Sequence, residues 1–286
     1  MAAVTFDATT YKQTTRDQWQ QAAEPWHRWG ATLEDWLGEA TERMLDLARL
    51  APGARVLDIA AGAGGQTIAA ARRVGPDGAV LATDLSPAIL EYAERTARAT
   101  GLSNVETREM DGEALDVAPG SYDAVISRLG LIYLPDRARA LAGIHRALAP
   151  DGRLVSVNYS TPDRNGFFSI PVSIIRRRAK LAEPTPGQPG PFSLGDDGVI
   201  EELYAQAGFD EIDVVRLEAP LRLASTDECV RFEYESFGAL HQMLSGVDDA
   251  ERTAAWDEIA TALGQFDGPD GFAAPCELLV AAGTKR

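Results

Sequence analysis

Between residues 55 and 159, short apolar segments alternate with segments of helical periodicity. The apolar segments predict five strands, at RVLDIAA (55–61), AVLATD (79–84), NVETREM (104–110), SYDAVISR (121–128) and RLVSVNY (153–159). Helices are predicted between most of them, over residues 66–74, from Ser86 to about Thr100 and from Pro135 to Leu148. Such alternation builds right-handed βαβ units and a parallel sheet that helices cover on both faces.

The segments on either side of this alternation predict a cap and two further strands. Residues 161–192 hold six prolines and three glycines, which favours an insertion. We expect it to form a mobile lid together with the helices of 225–270. Apolar segments at 211–223 and 274–285 bring the predicted strands to seven. We therefore expect an α/β fold with a doubly wound, mainly parallel seven-stranded sheet. The predicted segments are an N-terminal helical cap (1–50), the α/β core (51–160), the insertion (161–192), a core continuation (193–224), a helical cap (225–271) and the last core strand (272–286).

Composition excludes several classes of function. The net charge is −16, and so acidic a chain repels phosphate backbones, which argues against nucleic-acid binding. Its two cysteines, Cys229 and Cys276, cannot build a disulfide framework or a cysteine zinc site, and no metal is expected. No apolar run reaches the ~20 residues of a membrane-spanning helix. The N-terminal residues lack the pattern of a signal peptide, so a cytoplasmic location is expected.

The most informative motif is the turn Gly62-Ala63-Gly64-Gly65, directly after the first strand. Ligands of doubly wound folds bind at this edge of the sheet, and glycines allow close approach of the backbone. A dinucleotide fingerprint would need a glycine where Thr67 stands, and no phosphate-binding P-loop pattern occurs. Asp58, in the strand before the turn, is a poor neighbour for a pyrophosphate and a good one for a cationic amino group.

Further polar residues follow the next three strands. Asp84 ends the second strand, where a carboxylate can accept hydrogen bonds from both hydroxyls of a ribose. Asp111-Gly112-Glu113 follows the third strand, where an acid can accept a hydrogen bond from an adenine amine. Ser127 and Arg128 end the fourth strand and border the same crevice. Together these residues predict a pocket for a nucleoside that carries an amino acid.

The motifs VLDIAAGAGG, TDLSPAIL, MDGEAL, YDAVISRLGLIYLPD and HRALAPDGRL follow one another through this region. The chain resembles the class I S-adenosylmethionine-dependent methyltransferases, and within them the bacterial small-molecule branch with UbiE-like motifs. The resemblance is strong over residues 50–160 and weaker over 193–224 and 272–286. It implies the Rossmann-like methyltransferase fold, with S-adenosyl-L-methionine as cofactor and S-adenosyl-L-homocysteine as product.

The resemblance also implies a set of cofactor contacts. The residues are Asp58, Ala60, Gly62, Gly64, Gln66, Asp84, Leu85, Asp111, Gly112, Glu113 and Ser127. In the family, the loop from Ala60 to Gly64 wraps the methionine part, and Asp84 holds the ribose. Leu85 packs on the adenine, and Asp111 binds its amine. The chain departs from the family pattern only by small replacements, at Ala61 and Ala63.

Some of these residues have ordinary structural explanations. Asp84 could cap the next helix, although Ser86 can fill that position itself. Asp111 could be a turn residue before Gly112. The arginines 176–178 are most simply the solvated face of a helix, and the alternative is a site for an anionic substrate group.

The acceptor is expected to be an apolar or aromatic small molecule, because the N-terminal segment is rich in aromatic residues. The candidate substrate-binding residues are Trp19, Trp26, Arg128 and Tyr133. O-methylation of a natural product of aromatic or polyketide type is the preferred hypothesis. A phenol nucleophile gains from a base, and His241 in the segment ESFGALHQML is the candidate.

Two other functions stay open at this point. The protein could retain the cofactor without using its methyl group and catalyse a cyclisation or decarboxylation in secondary metabolism. It could also be a sensor that binds the cofactor, although the large predicted cap argues against that. A homodimer is possible, and neither nucleic acid nor a membrane is expected as a partner.

Overall fold

The computed structural model describes residues 6–185 and 187–286. Residues 1–5 of the predicted N-terminal cap and Pro186 of the predicted insertion lie outside this range. The helices are α1 (Ala8–Arg28), α2 (Gly30–Leu47), α3 (Gly65–Val74), α4 (Pro87–Ala99), α5 (Arg137–Ala147), α6 (Gly166–Arg178), α7 (Val199–Gln206), α8 (Thr226–Ser236), α9 (Gly238–Met243) and α10 (Asp249–Leu263). The strands are β1 (Arg55–Ile59), β2 (Ala79–Asp84), β3 (Val105–Glu109), β4 (Tyr122–Arg128), β5 (Leu148–Tyr159), β6 (Phe209–Glu218), β7 (Leu221–Leu223), β8 (Asp267–Gly268), β9 (Gly271–Ala274) and β10 (Glu277–Lys285).

A single seven-stranded sheet forms the core, in the order β3-β2-β1-β4-β5-β10-β6. Neighbouring strands from β3 to β5 are parallel, whereas β10 runs antiparallel to both β5 and β6. The predicted mainly parallel, seven-stranded fold is therefore confirmed. The strand order reverses between β1 and β4, and the crevice at such a switch point is where doubly wound folds bind ligands.

The N-terminal segment divides into two helices with different roles. Helix α2 packs against β5 and β10 and buries Trp36 and Leu37, so it belongs to the core rather than to the cap. Helix α1 crosses over α4 and α8 above the crevice. The chain bends between the two helices at Trp29, whose indole nitrogen donates to Glu235 at 2.7 Å.

The predicted strand 211–223 is two strands in two sheets. Strand β6 lies at the edge of the main sheet, and β7 joins a separate small sheet in the order β7-β9-β8. Pro220 lies between them and lacks the N–H that a continuous ladder would require. The small sheet was not predicted, because its strands have only two to four residues each.

Helices α6, α8, α9 and α10 form the rest of the cap. The ion pairs of Arg178 with Glu251 and Glu258, both at 2.6 Å, join α6 to α10. None of the helices in the described part of the chain has the length and apolarity that a bilayer crossing requires.

Candidate active site

The glycine turn between β1 and α3 is built on positive backbone φ angles. Gly62 has a φ of 58° and Gly64 a φ of 88°, a region that favours glycine. An added Cβ on Gly64 would lie 2.7 Å from the Cβ of Ala93 on α4. The turn therefore depends on glycine for its conformation and for the close approach of α4.

Asp84, the last residue of β2, faces this turn. One carboxylate oxygen accepts from the backbone N–H of Gly62 and the other from that of Ser86, both at 3.0 Å. Ser86 also caps α4 by accepting from Ile89, so Asp84 is not the cap. Burial raises the pKa of Asp84, and the two backbone N–H groups oppose that change.

An enclosed cavity of about 100 Å³ lies between the turn, Asp84 and α1. Ten residues of the sequence-predicted site line it: Trp19, Trp26, Ala60, Gly62, Gln66, Asp84, Leu85, Gly112, Arg128 and Tyr133. We call this space the cofactor cavity. The indole nitrogen of Trp26 lies 3.5 Å from the Cβ position of Gly62, so α1 forms the roof directly above the turn.

Asp58 lies beneath the turn and does not line the cavity. Its carboxylate accepts from the hydroxyl of Thr67 at 2.6 Å and from the side-chain amide of Gln66 at 3.2 Å. Burial raises the pKa of Asp58 to about 7, although these hydrogen bonds and the charge of Arg128 act in the opposite direction. Asp58 therefore orients the side-chain amide of Gln66, and Gln66 lines the cavity.

Asp111 and Glu113 are also outside the lining and bind α1 instead. Lys12 forms ion pairs with Asp111 at 2.6 Å and with Glu113 at 2.5 Å. In this arrangement Lys12 holds one oxygen of Asp111, and the expected contact of Asp111 with an adenine amine stays a prediction. These ion pairs hold the roof helix to the loop after β3.

The two polar residues at the end of β4 point in different directions. The Ser127 hydroxyl donates to the Ile59 carbonyl at 2.9 Å and does not reach the cavity. Arg128 lines the cavity and donates to the Thr41 hydroxyl at 2.8 Å. Burial lowers the pKa of Arg128 to about 10, so its guanidinium remains cationic at neutral pH.

A second, much larger cavity of about 1450 Å³ lies beside the first. Apolar residues from α6, α9 and the proline-rich segment form much of its wall: Phe168, Val172, Phe192, Leu240 and Met243. We call it the acceptor cavity. Tyr133 lines both cavities and stands at their junction.

The structure does not bring His241 to either cavity. Its Nε2 lies 2.6 Å from the Tyr234 carbonyl oxygen, and its ring packs against Tyr234 and Trp256. Helix α9 turns Leu240 and Met243 to the acceptor cavity, and a residue beside Leu240 points about 100° away around the helix. The expectation of a base at His241 is therefore corrected.

Several cavity residues were not predicted from the sequence. They are Thr15, Leu37, Ile59, Met110, Leu129, Gly130, Leu134, Tyr159 and Phe237. Most are apolar and carry no chemical signature. Tyr159 could have been found, because it ends β5 at the same edge of the sheet as Asp84 and Arg128.

Comparison with known proteins identifies the family. A family model described as a methyltransferase domain matches residues 56–152. The uncharacterized protein Rv1403c of Mycobacterium tuberculosis is 30% identical over 268 residues, covering 89% of this chain and 92% of its own length. The chain belongs to the class I S-adenosylmethionine-dependent methyltransferases.

Two other relatives of this methyltransferase are named for their reactions. Aklanonic acid methyltransferase DauC of a Streptomyces species is 32% identical over 146 residues, covering 51% of this chain and 65% of the relative. Nocamycin O-methyltransferase of Saccharothrix syringae is 25% identical over 219 residues, covering 72% and 77%. The crystal structure of the YcgJ protein from Bacillus subtilis shares the fold, with a TM-score of 0.59 at 19% identity, covering 87% of this chain and 99% of that one.

The methyltransferase uses S-adenosylmethionine as its cofactor, and the cavity residues fit that molecule in kind. A carboxylate, a glycine turn, a guanidinium and aromatic rings meet around one space. The cavity is nevertheless smaller than the ~300–1,000 Å³ that drug-sized ligands occupy. We therefore expect the roof helix α1 to move outward on binding, against the ion pairs of Lys12.

Proposed function

We propose that this methyltransferase transfers a methyl group to an oxygen of a small aromatic or polyketide-like molecule. The observation that carries the proposal is the junction of the cofactor cavity with the large, partly apolar acceptor cavity at Tyr133. The names of the two relatives with stated reactions support it, since one acts on aklanonic acid and the other is an O-methyltransferase.

The positions of the side chains support the following cofactor roles. Asp84 accepts hydrogen bonds from the ribose hydroxyls, and Leu85 and Gly112 contact the adenine. The glycine turn and Gln66 hold the amino-acid part. Arg128 binds the carboxylate of that part rather than the acceptor. Its guanidinium lies beside Gly65 at the start of α3, and the residue is outside the acceptor cavity.

When bound, the cofactor supplies a methyl carbon already activated by its sulfonium. The chain's own contribution is alignment and the exclusion of water, which can supply several kcal/mol of a barrier. Trp19 and Trp26 close the cavity from above. Burial raises the pKa of Tyr133, so its hydroxyl stays protonated and acts as a hydrogen-bond donor to the acceptor. No histidine lines the cavities in the described part of the chain, and alignment is the main mechanism.

Replacing Asp84 by alanine is expected to weaken the binding of S-adenosylhomocysteine by about ten- to a hundredfold. The loss of charged hydrogen bonds typically costs about 1.5–3 kcal/mol. Titration calorimetry measures the change. Asp123→Ala is the matched control, because the Asp123 carboxylate accepts from the backbone N–H of Arg55 at the opposite edge of the sheet. Equal affinities of Asp84→Ala and the wild type would exclude the ribose role.

The affinity for S-adenosylmethionine is expected to rise between about pH 6 and pH 8. A group with a pKa of about 7 goes from about 9% to about 91% ionised over this interval, so the gain reaches up to about tenfold. The physical reason is attraction between the ionised carboxylate of Asp58 and the cationic amino group of the cofactor's amino-acid part. Asp58→Asn should remove this pH dependence in calorimetric titrations. An equally steep profile in that variant would show that another group titrates.

The test of the reaction is a screen of phenolic and polyketide-like acceptors by mass spectrometry. We expect an acceptor that gains the mass of one methyl group while S-adenosylhomocysteine forms in equal amount. Conversion of an acceptor without S-adenosylhomocysteine would support the alternative of a cyclisation or decarboxylation. Methylation on nitrogen or carbon alone would contradict the proposed attacking atom.

A further inference from the structure

The three consecutive arginines near the end of α6 have different surroundings. Arg177 and Arg178 both pair with Glu258, and Arg178 also pairs with Glu251. These contacts pair both charges at the surface between α6 and α10, although Arg177 also borders the acceptor cavity. They agree with the structural explanation of the basic segment, but only for two of its three members.

Arg176 turns instead to the wall of the acceptor cavity. Its side chain is 20% exposed, and Nη2 donates to the carbonyl of Ala182. Among the residues that the structure describes, its buried Nε has no hydrogen-bond partner. A buried donor without a partner is costly, which indicates a group that is bound there when the cavity is filled.

The carboxylates around the same cavity do not neutralise Arg176 effectively. Glu183 lies 3.5 Å from Nη2, but its side chain is 91% exposed and fully hydrated. The other acidic lining residues, Asp136, Asp196 and Glu202, are also exposed. A partly desolvated cation acts more strongly on a ligand in the cavity than hydrated charges at its mouth do.

We propose that the acceptor carries a carboxylate, remote from the methylated oxygen, and that Arg176 binds it. This inference rests on the proposed function, since it concerns the acceptor of that reaction. The aromatic body of the molecule packs on the apolar wall beside Phe168. Its reacting end reaches Tyr133 at the junction with the cofactor cavity, and its carboxylate accepts hydrogen bonds from the guanidinium.

The test compares an anthraquinone carboxylate with the matching neutral carboxamide, in the presence of saturating S-adenosylhomocysteine. Binding is followed by quenching of the protein's tryptophan fluorescence. We expect the wild type to prefer the carboxylate by about tenfold, since a charged hydrogen bond contributes about 1.5 kcal/mol or more. Arg176→Gln should reduce the preference to about twofold or less and leave the affinity for S-adenosylhomocysteine unchanged.

Arg178→Gln is the matched control, because it removes the same charge from the same helix and Arg178 has a similar exposure of 24%. It should keep the preference. An equal loss in both variants, a preference that survives in Arg176→Gln, or failure of both probes to bind the wild type would overturn the proposal. These outcomes are separate from failure of the proposed function, in which S-adenosylhomocysteine itself would not bind or no acceptor would be methylated.

Discussion

Replacing Glu233 by glutamine is expected to stabilise the protein, and increasingly so as the pH rises from about 5 to about 7. Glu233 is fully buried on α8. Neither carboxylate oxygen has a hydrogen-bond partner within the described ranges 6–185 and 187–286. Burial therefore raises the pKa of this carboxyl well above its ordinary value of 4.5, and the group stays protonated in the folded protein.

The direction of the effect follows from proton binding. Above the ordinary pKa the unfolded chain loses the Glu233 proton and the folded protein keeps it. The stability that the raised pKa confers is thus complete in acid and falls by about 1.4 kcal/mol per pH unit. Glutamine does not titrate, so the free energy of unfolding of Glu233→Gln should gain on the wild type by up to about 1.4 kcal/mol for each pH unit below the folded-state pKa.

Urea unfolding at the two pH values measures this difference. Glu235→Gln is the control, because Glu235 pairs with Arg28 at the surface and its pKa is lowered rather than raised. The control should show no gain with pH. Parallel pH dependence of Glu233→Gln and the wild type would mean that Glu233 is ionised in the folded protein.

The second large effect is expected for Gly64→Ala, which should destabilise the protein by about 2–5 kcal/mol. A left-handed backbone costs an L-residue about 1–2 kcal/mol, and overpacking adds about 1–3 kcal/mol. Both penalties apply here, since φ is 88° and the new Cβ would lie 2.7 Å from the Cβ and 2.9 Å from the Cα of Ala93. The distorted turn should also weaken cofactor binding.

Gly198 provides a matched control for the steric part of that effect. Its φ is 81° and its backbone is left-handed like that of Gly64, but an added Cβ would meet nothing within 4 Å. Gly198→Ala should therefore cost only the backbone strain of about 1–2 kcal/mol in urea unfolding and leave the binding of S-adenosylhomocysteine unchanged. Equal costs at the two glycines would show that α4 moves away from the turn without penalty.

The sequence predicted the core well because its signals are local. The alternation of apolar strands and helices and the turn at Gly62 each depend on residues close together in the chain. Side-chain directions at the site depend on distant partners. Asp58 is turned inward by Thr67, and Asp111 is engaged by Lys12, 99 residues away. No pattern in the sequence shows such pairings. The direction of the His241 side chain was predicted wrongly, because it depends on how the short helix α9 is rotated about its axis.

Several expectations concern properties other than the fold. The homodimer, the lid role of residues 161–192 and the cytoplasmic location stay predictions. The described residues of the insertion do contribute much of the acceptor cavity wall. A lid there would control the entry of the acceptor, while α1 controls the entry of the cofactor.

A crystal structure of the complex with S-adenosylhomocysteine tests the central claim most directly. It should show the ribose hydroxyls within hydrogen-bonding distance of Asp84 and α1 displaced outward from Gly62. The sulfur atom should face Tyr133 and the acceptor cavity. A ligand bound elsewhere, or one whose sulfur faces away from the acceptor cavity, would contradict the account.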